Sequence, residues 1–323
     1  MFTAKLQKVI GPGIIFAGAA IGGSHLMSST TAGARFGFSL IGLILITNFL
    51  KYPFLLVGTR FTASTGMTLL EGFKKRNSLY LPIFLIISLV TGTFTIAAVS
   101  FVSGVLLTNI PLFSNFPPMD LSLMVLVICG FILLIGKYKA LDNLSKILVS
   151  LLSILTFFAV ISLLTKSSLN KELTATIFNP EVSPWRLSNL SFLIPLMGWM
   201  PCPVELCVWP SLWMFSKNKE SKYMPTIKEA QFDFNLGYLI TIVTAIFFVT
   251  LGAITMYGTG EGMLSGSGVS FAQNLIKLYT ESIGEWSKWV IIPASFAAMF
   301  STTLTCLDAY PRSISSIQGL LRG

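Results

Sequence analysis

The sequence predicts an all-α protein that crosses a bilayer many times as a single polytopic domain over residues 1–323. It further predicts two inverted halves, each opened by a broken helix. Three observations carry this reading. The composition is 53% hydrophobic and 11% charged, with mean hydropathy +0.77, whereas a soluble domain averages about 25% charged residues. Apolar stretches of spanning length recur along the whole chain, with no soluble domain between them. Two of those stretches, the first and the sixth, hold residues that a continuous helix cannot absorb.

A spanning helix needs about 20 apolar residues. Eight stretches qualify, at roughly 10–33, 38–59, 81–109, 121–137, 146–165, 188–214, 235–257 and 288–311. Lys5 and Lys8 followed by apolar residues 9–21 have the outline of a secretory leader. The apolar run continues to about residue 33, so it reads as an uncleaved first membrane helix. The longest connections are 165–187, 215–234 and 258–287. The last is rich in Gly and Ser and leads into a short amphipathic stretch, 271–279, suited to a membrane surface.

Lys and Arg set the orientation. With the N-terminus in the cytoplasm, fifteen of the 22 lie on the cytoplasmic side, six on the other, and Lys51 inside the second helix. This predicts a multi-pass cell-membrane protein with a cytoplasmic N-terminus. It also accounts for the net charge of +9 with lipid as the partner and no nucleic acid. Cys129, Cys202, Cys207 and Cys306 lie in apolar segments at spacings that match no zinc or disulfide framework, and read as small packing residues. No resident cofactor is implied.

The ionisable residues within the spans are His25, Lys51, Glu205 and Asp308. Lys51, followed by Tyr52 and Pro53, reads as a side chain reaching along its helix to the interface. Asp308 stands four residues before Arg312, the spacing of a helical ion pair, and reads as structural or gating. In the sixth span, Pro201 and Pro203 both lack the N–H that a helix needs, and Glu205 follows at once. Freed backbone groups in lipid need partners, and a carboxylate at that depth marks a pathway or a site. The competing role for Glu205 is the first turn of a restarting helix, with Pro203 at its first position, where the dipole favours a negative charge. In the first span, Gly22 and Gly23 fall mid-span, Ser24 is placed to cap a restarting half-helix, and His25 is the only histidine. The plain alternative is close packing through small residues, with His25 hydrogen-bonded inside the bundle.

Interrupted helices at corresponding positions of two halves point to a transporter site at the repeat interface. The two breaks here lie five spans apart, and an odd offset makes the second half inverted, with residues 1–165 as one repeat and 188–323 as the other. Residues 11–38, from GPG to AGARFGF, resemble the first membrane helix of the Nramp family of divalent metal transporters. MGWMPCP at 197–203 resembles that family's methionine–proline–histidine segment. The resemblance implies a LeuT-type helical bundle, proton-coupled uptake of transition metals and a ten-helix core, of which eight helices are seen, so the second repeat reads as truncated. Carried over, the family's Asp-Pro-Gly-Asn ligand motif falls on Gly22, Gly23, Ser24 and His25, which lack both side-chain ligands. The methionine ligand matches Met200, and the histidine beside it falls on Cys202.

The candidate ion-binding residues are therefore Gly22, His25, Met200, Cys202 and Glu205, with His25, Met200 and Glu205 as the metal ligands. Glu205 is the one carboxylate placed to replace the lost charge. An imidazole and a thioether favour a Mn- or Fe-like ion over Mg. Carbonyls near Ala20 and Met197 are further donors, and Asp308 belongs to the second tier. So does Thr302, in a hydroxyl cluster with Ser301, Thr303 and Thr305. Such hydroxyls bond back to their own helix or, by analogy with LeuT-type folds, hold a monovalent ion against the first helix. The expected function is secondary transport by alternating access of a cation, a divalent metal first, with proton or sodium coupling. A LeuT-type transporter of a small organic solute such as an amino acid is the alternative, and a non-transporting homologue a further one. An intramembrane enzyme is not expected, since one Asp and one His within the spans supply neither an aspartyl pair nor a metalloprotease ligand set.

Overall fold

The computed structural model describes residues 8–166, 183–257, 276, 280 and 284–322. The helices are α1 (Pro12–Ala20), α2 (Thr30–Phe36), α3 (Ile41–Thr65), α4 (Leu69–Arg76), α5 (Tyr80–Leu107), α6 (Pro118–Lys166), α7 (Leu190–Trp199), α8 (Val208–Ser221), α9 (Ile227–Met256) and α10 (Lys288–Arg322). A π-helical turn, Ser24–Ser29, joins α1 to α2, and a 3-10 turn, Val204–Cys207, leads into α8. Among the described residues, six helical stretches are long and apolar enough to cross a membrane. The first expected span falls outside that count because its break divides it into short helices.

Expected spans 121–137 and 146–165 form one helical run. A straight helix of 49 residues would extend ~74 Å, more than twice the ~30 Å hydrocarbon core. Lys137, at φ 47° and ψ −146°, is where this run leaves helical geometry, and residues 138–145, expected as a loop, are helical. At the other end of the chain, α10 runs on through Pro311 to Arg322. The amphipathic stretch expected at 271–279 lies outside the described residues, apart from Ile276.

Local sequence starts several helices. Thr68 with Glu71, and Thr226 with Glu229, form capping boxes at α4 and α9, each hydroxyl and carboxylate satisfying an orphan N–H. The second places the start of α9 eight residues before the expected 235. Lys74 on α4 donates to Leu320 O at 2.6 Å, so α4 closes the C-terminal end of α10.

The surface of α3, α5 and α6 is a belt of exposed Phe49, Phe54, Ile86, Phe94, Phe131 and Ile135. A soluble protein would bury such residues, and lipid explains them. Inside, α9 lies against α1 and α2 backbone to backbone. A Cβ on Gly13 would collide with Asp233 O, and one on Gly237 would collide with Gly13 O. Gly33 and Gly252 make the same reciprocal contact between α2 and α9. Small residues let membrane helices approach this closely.

Candidate solute site between two broken helices

In α1 the ladder fails after Ala20. Ile21 takes φ −82° and ψ 77°, and Gly22 N–H turns back to Ala20 O at 3.0 Å. Glycine is required there because a Cβ on Gly22 would lie 2.5 Å from Thr302 Oγ1 of α10. In the sixth span, α7 ends at Trp199, Met200 is extended at φ −89° and ψ 124°, and the Met200–Pro201 peptide is cis. Pro203, expected as the first helical residue, is instead the N-cap of the 3-10 turn, and Glu205 lies in that turn.

The two breaks face a common cavity of ≈ 40 Å³. Its walls include the expected Ala20, Gly22, Cys202 and Thr302, together with Ser24 and Tyr310. Trp199 and Gly23 also border an apolar vestibule of ≈ 230 Å³ lined by Met27, Pro195 and Met299. At the other end, a crevice of ≈ 660 Å³ is lined by Glu71, Ser216, Asp308 and Arg312. Aromatic side chains close the path between cavity and crevice. Tyr310 and Trp209 both line the cavity and meet edge to face at 4.8 Å. Trp209 packs on Trp213 at 5.7 Å, and Trp213 Nε1 donates to Asp308 Oδ2 at 2.9 Å.

The expected metal ligands are not brought together. His25 is fully buried, but its Nε2–H donates to Thr241 O on α9 at 3.0 Å, leaving Nδ1 to accept from the Ser24 hydroxyl at 2.8 Å. Both ring nitrogens are thus in use, and His25 is not part of the cavity lining. Met200 lies in an apolar cluster with Phe36, Ile44, Leu193 and Val249, where its thioether fills space. Glu205 is half-buried, beside Thr91 and within electrostatic reach of Lys51, and is not part of the cavity lining. Among the described residues, no three of His, Cys, Asp and Glu stand close enough together to hold a metal.

Two further readings are corrected by geometry. Ser24 does not cap a half-helix. Its hydroxyl, whose one hydrogen goes to His25 Nδ1, sits between the breaks, 3.0 Å from Ala20 O and 3.5 Å from Pro201 O. Lys51 does not reach to the interface. Its ammonium donates to Met197 O at 2.7 Å, Gly198 O at 2.6 Å and Cys202 O at 3.2 Å. The carbonyls expected to receive a transported ion at Met197 are therefore held by a side chain, and the Met197 side chain itself is exposed. Asp308 pairs with Arg312, which also donates to Ser216 of α8 at 3.0 Å. The pair clasps α10 to α8 at the mouth of the crevice.

Three buried charges escaped the sequence reading. Asp233 accepts from Gly11 N at 2.9 Å and Gly13 N at 2.7 Å, capping α1 from α9. Asp142 accepts from Lys146 at 2.9 Å and from Lys217 of α8 at 2.6 Å. The capping box at Thr226 was the available signal, because it puts Asp233 two turns inside a helix rather than in a loop.

A family model described as "Natural resistance-associated macrophage protein-like" (Nramp) matches residues 13–319. An uncharacterized protein of Pasteurella multocida is 38% identical over 304 residues, covering 94% of this chain and 69% of that one. Among solved structures, a mutant of the Eremococcus coleocola manganese transporter superposes with TM-score 0.67 at 16% identity, covering 99% of this chain and 70% of that one. A Na+-coupled sialic acid symporter in a substrate-bound outward-open state superposes with TM-score 0.65 at 18% identity, covering 95% and 66%. The helical fold is thus shared with both.

Proposed function

We propose that this chain, which belongs to the Nramp family, moves a small organic solute across the membrane by alternating access, through a site between its two broken helices. The proposal takes the bundle as LeuT-type, with eight crossings arranged as inverted repeats and the N-terminus in the cytoplasm. One observation carries the choice of solute. Among the described residues, the cavity between the breaks is lined by apolar, hydroxyl, thiol and aromatic side chains and by no carboxylate, while the Lys51 ammonium holds the carbonyls of the sixth-helix break. A divalent ion in a dry site needs anionic ligands to offset its lost hydration. A solute with its own hydrogen-bonding groups, such as an amino acid, needs only dipoles and hydroxyls. The vestibule on one side and the aromatic wall on the other suit a path that opens at one end at a time.

A Mn- or Fe-like ion is the second reading, supported by the family and by the fold shared with a manganese transporter. It requires Glu205, His25 and Met200 to converge in another conformation. Thermal unfolding of the purified chain separates the two. The solute reading predicts a rise in midpoint with at least one member of an amino acid and small carboxylic acid panel, and none with Mn(II), Fe(II) or Mg(II). A rise with Mn(II) that Glu205→Gln removes would establish the metal reading instead.

A further inference from the structure

Among the described residues, two that are not glycine take a positive φ, and both are lysines. Lys137, where α6 leaves helical geometry, has φ 47° and ψ −146°. Lys222, which caps the C-terminal end of α8, has φ 51° and ψ 35°. Glycine adopts such backbone at no steric cost and is the usual residue just past a helix end. Any other side chain is strained there, and strain of this kind collects where the side chain has a use. The kink already holds one glycine, Gly136, where a Cβ would collide with Ala140.

The two strained lysines belong to one surface. Asp142, five residues beyond Lys137, accepts at 2.6 Å from Lys217, five residues before Lys222, and this pins the end of α8 to the α6 kink. Residues 137–146 and 217–222 carry six lysines against two carboxylates, Asp142 and Glu220. Asp142 is taken up by Lys146 and Lys217. Lys137, Lys139, Lys219 and Lys222 are exposed, and among the described residues none of their ammonium groups meets a carboxylate. Lys219 also meets the helix dipole in the last turn of α8, and lysines at a membrane face orient the chain. Neither role calls for lysine where the backbone favours glycine. In the turns of α6 that lead to the kink, Phe131, Leu134 and Ile135 are exposed, so apolar surface adjoins the charge.

We propose that the α6 kink and the end of α8 hold an anionic phospholipid, its phosphate against Lys137, Lys139, Lys219 and Lys222 and its acyl chains along Phe131, Leu134 and Ile135. Lysine stems lie along apolar surface and carry the ammonium to headgroup depth, where each attracts an anionic lipid. The apolar flank selects a lipid over free phosphate. Through Asp142 and Lys217 a bound lipid fastens α6 to α8, the helix that follows the sixth-span break. The site stands apart from the proposed solute transport.

The test is thermal unfolding of the full chain in nonionic detergent, with added phosphatidylglycerol, phosphatidylcholine or glycerol phosphate at constant ionic strength. Phosphatidylglycerol is expected to raise the midpoint with saturation, and less so in high salt. The other two are not. Lys137→Gly and Lys222→Gly should each raise the midpoint in detergent alone, because the strain is relieved, and each weaken the response to phosphatidylglycerol by about fivefold. Opposite signs in one variant separate a charge kept for a ligand from one kept for the fold. Lys137→Gln, which keeps the Cβ, should weaken the response without raising the midpoint. An equal response to phosphatidylcholine, a response reproduced by glycerol phosphate, or an undiminished response with both glycines in place would overturn the site. So would a midpoint in detergent alone that falls on either glycine substitution.

Discussion

Replacing Lys51 by Met keeps the length of the side chain and removes its charge, so it isolates the three hydrogen bonds to the sixth-helix break. Bonds to a charged donor contribute about 1.5–3 kcal/mol each. Lys51 is partly exposed, which discounts that figure, and the total expected loss is about 3 kcal/mol. At roughly 2 °C per kcal/mol for a chain of this size or larger, the unfolding midpoint should fall by about 6 °C. Three carbonyls in apolar surroundings would be left without a donor, and α7 should fray at Met197 and Gly198. The assay is tryptophan fluorescence on heating, with Trp199 at the end of α7 as a local reporter. Lys51→Arg should recover only part of the loss, because a planar fork cannot meet three converging carbonyls as an ammonium does. A Lys51→Met protein that melts within 1 °C of the parent, by roughly the precision of such scans, would refute the reasoning that this ammonium closes the break.

Three other perturbations follow from the same contacts. Asp233→Asn should lower the midpoint by an amount equivalent to about 1–2 kcal/mol, since an amide oxygen accepts less strongly from Gly11 and Gly13 than a carboxylate does; hydrogen exchange at the start of α1 should rise with it. Gly252→Ala drives a methyl onto Thr30 O, a backbone atom that cannot turn aside, and should cost about 2 kcal/mol or more, read as lost monodisperse protein on size exclusion. Asp308→Asn loosens the clasp to Arg312 and Trp213, and should speed labelling of Cys202 or Cys306 from the crevice side by about tenfold, measured in a variant lacking Cys129 and Cys207.

Both breaks were legible from residue type alone. Gly22 with Gly23, and Pro201 with Pro203, are local statements about which backbone a helix can keep, and the structure breaks at both. What the breaks do with their freed groups was not legible. Lys51 and Met197 are 146 residues apart in the chain, and His25 and Thr241 are 216 apart. Composition reveals that a carbonyl will need a donor, and not which of 22 cations or many hydroxyls the fold brings to it. The same limit explains the ligand set. His25, Met200 and Glu205 have the chemistry of metal ligands, but each is turned away by packing against α9, by an apolar cluster, or by the start of a 3-10 turn. Cys202, Gly22 and Ala20 line the cavity because the breaks themselves put them there, and Thr302 reaches it from α10.

Manganese entry into liposomes carrying the reconstituted chain tests the central claim most directly. Solute transport through a cavity without carboxylates predicts Mn(II) accumulation equal to that of protein-free vesicles, with Glu205→Gln indistinguishable from the parent. Saturable Mn(II) uptake that Glu205→Gln abolishes would contradict it.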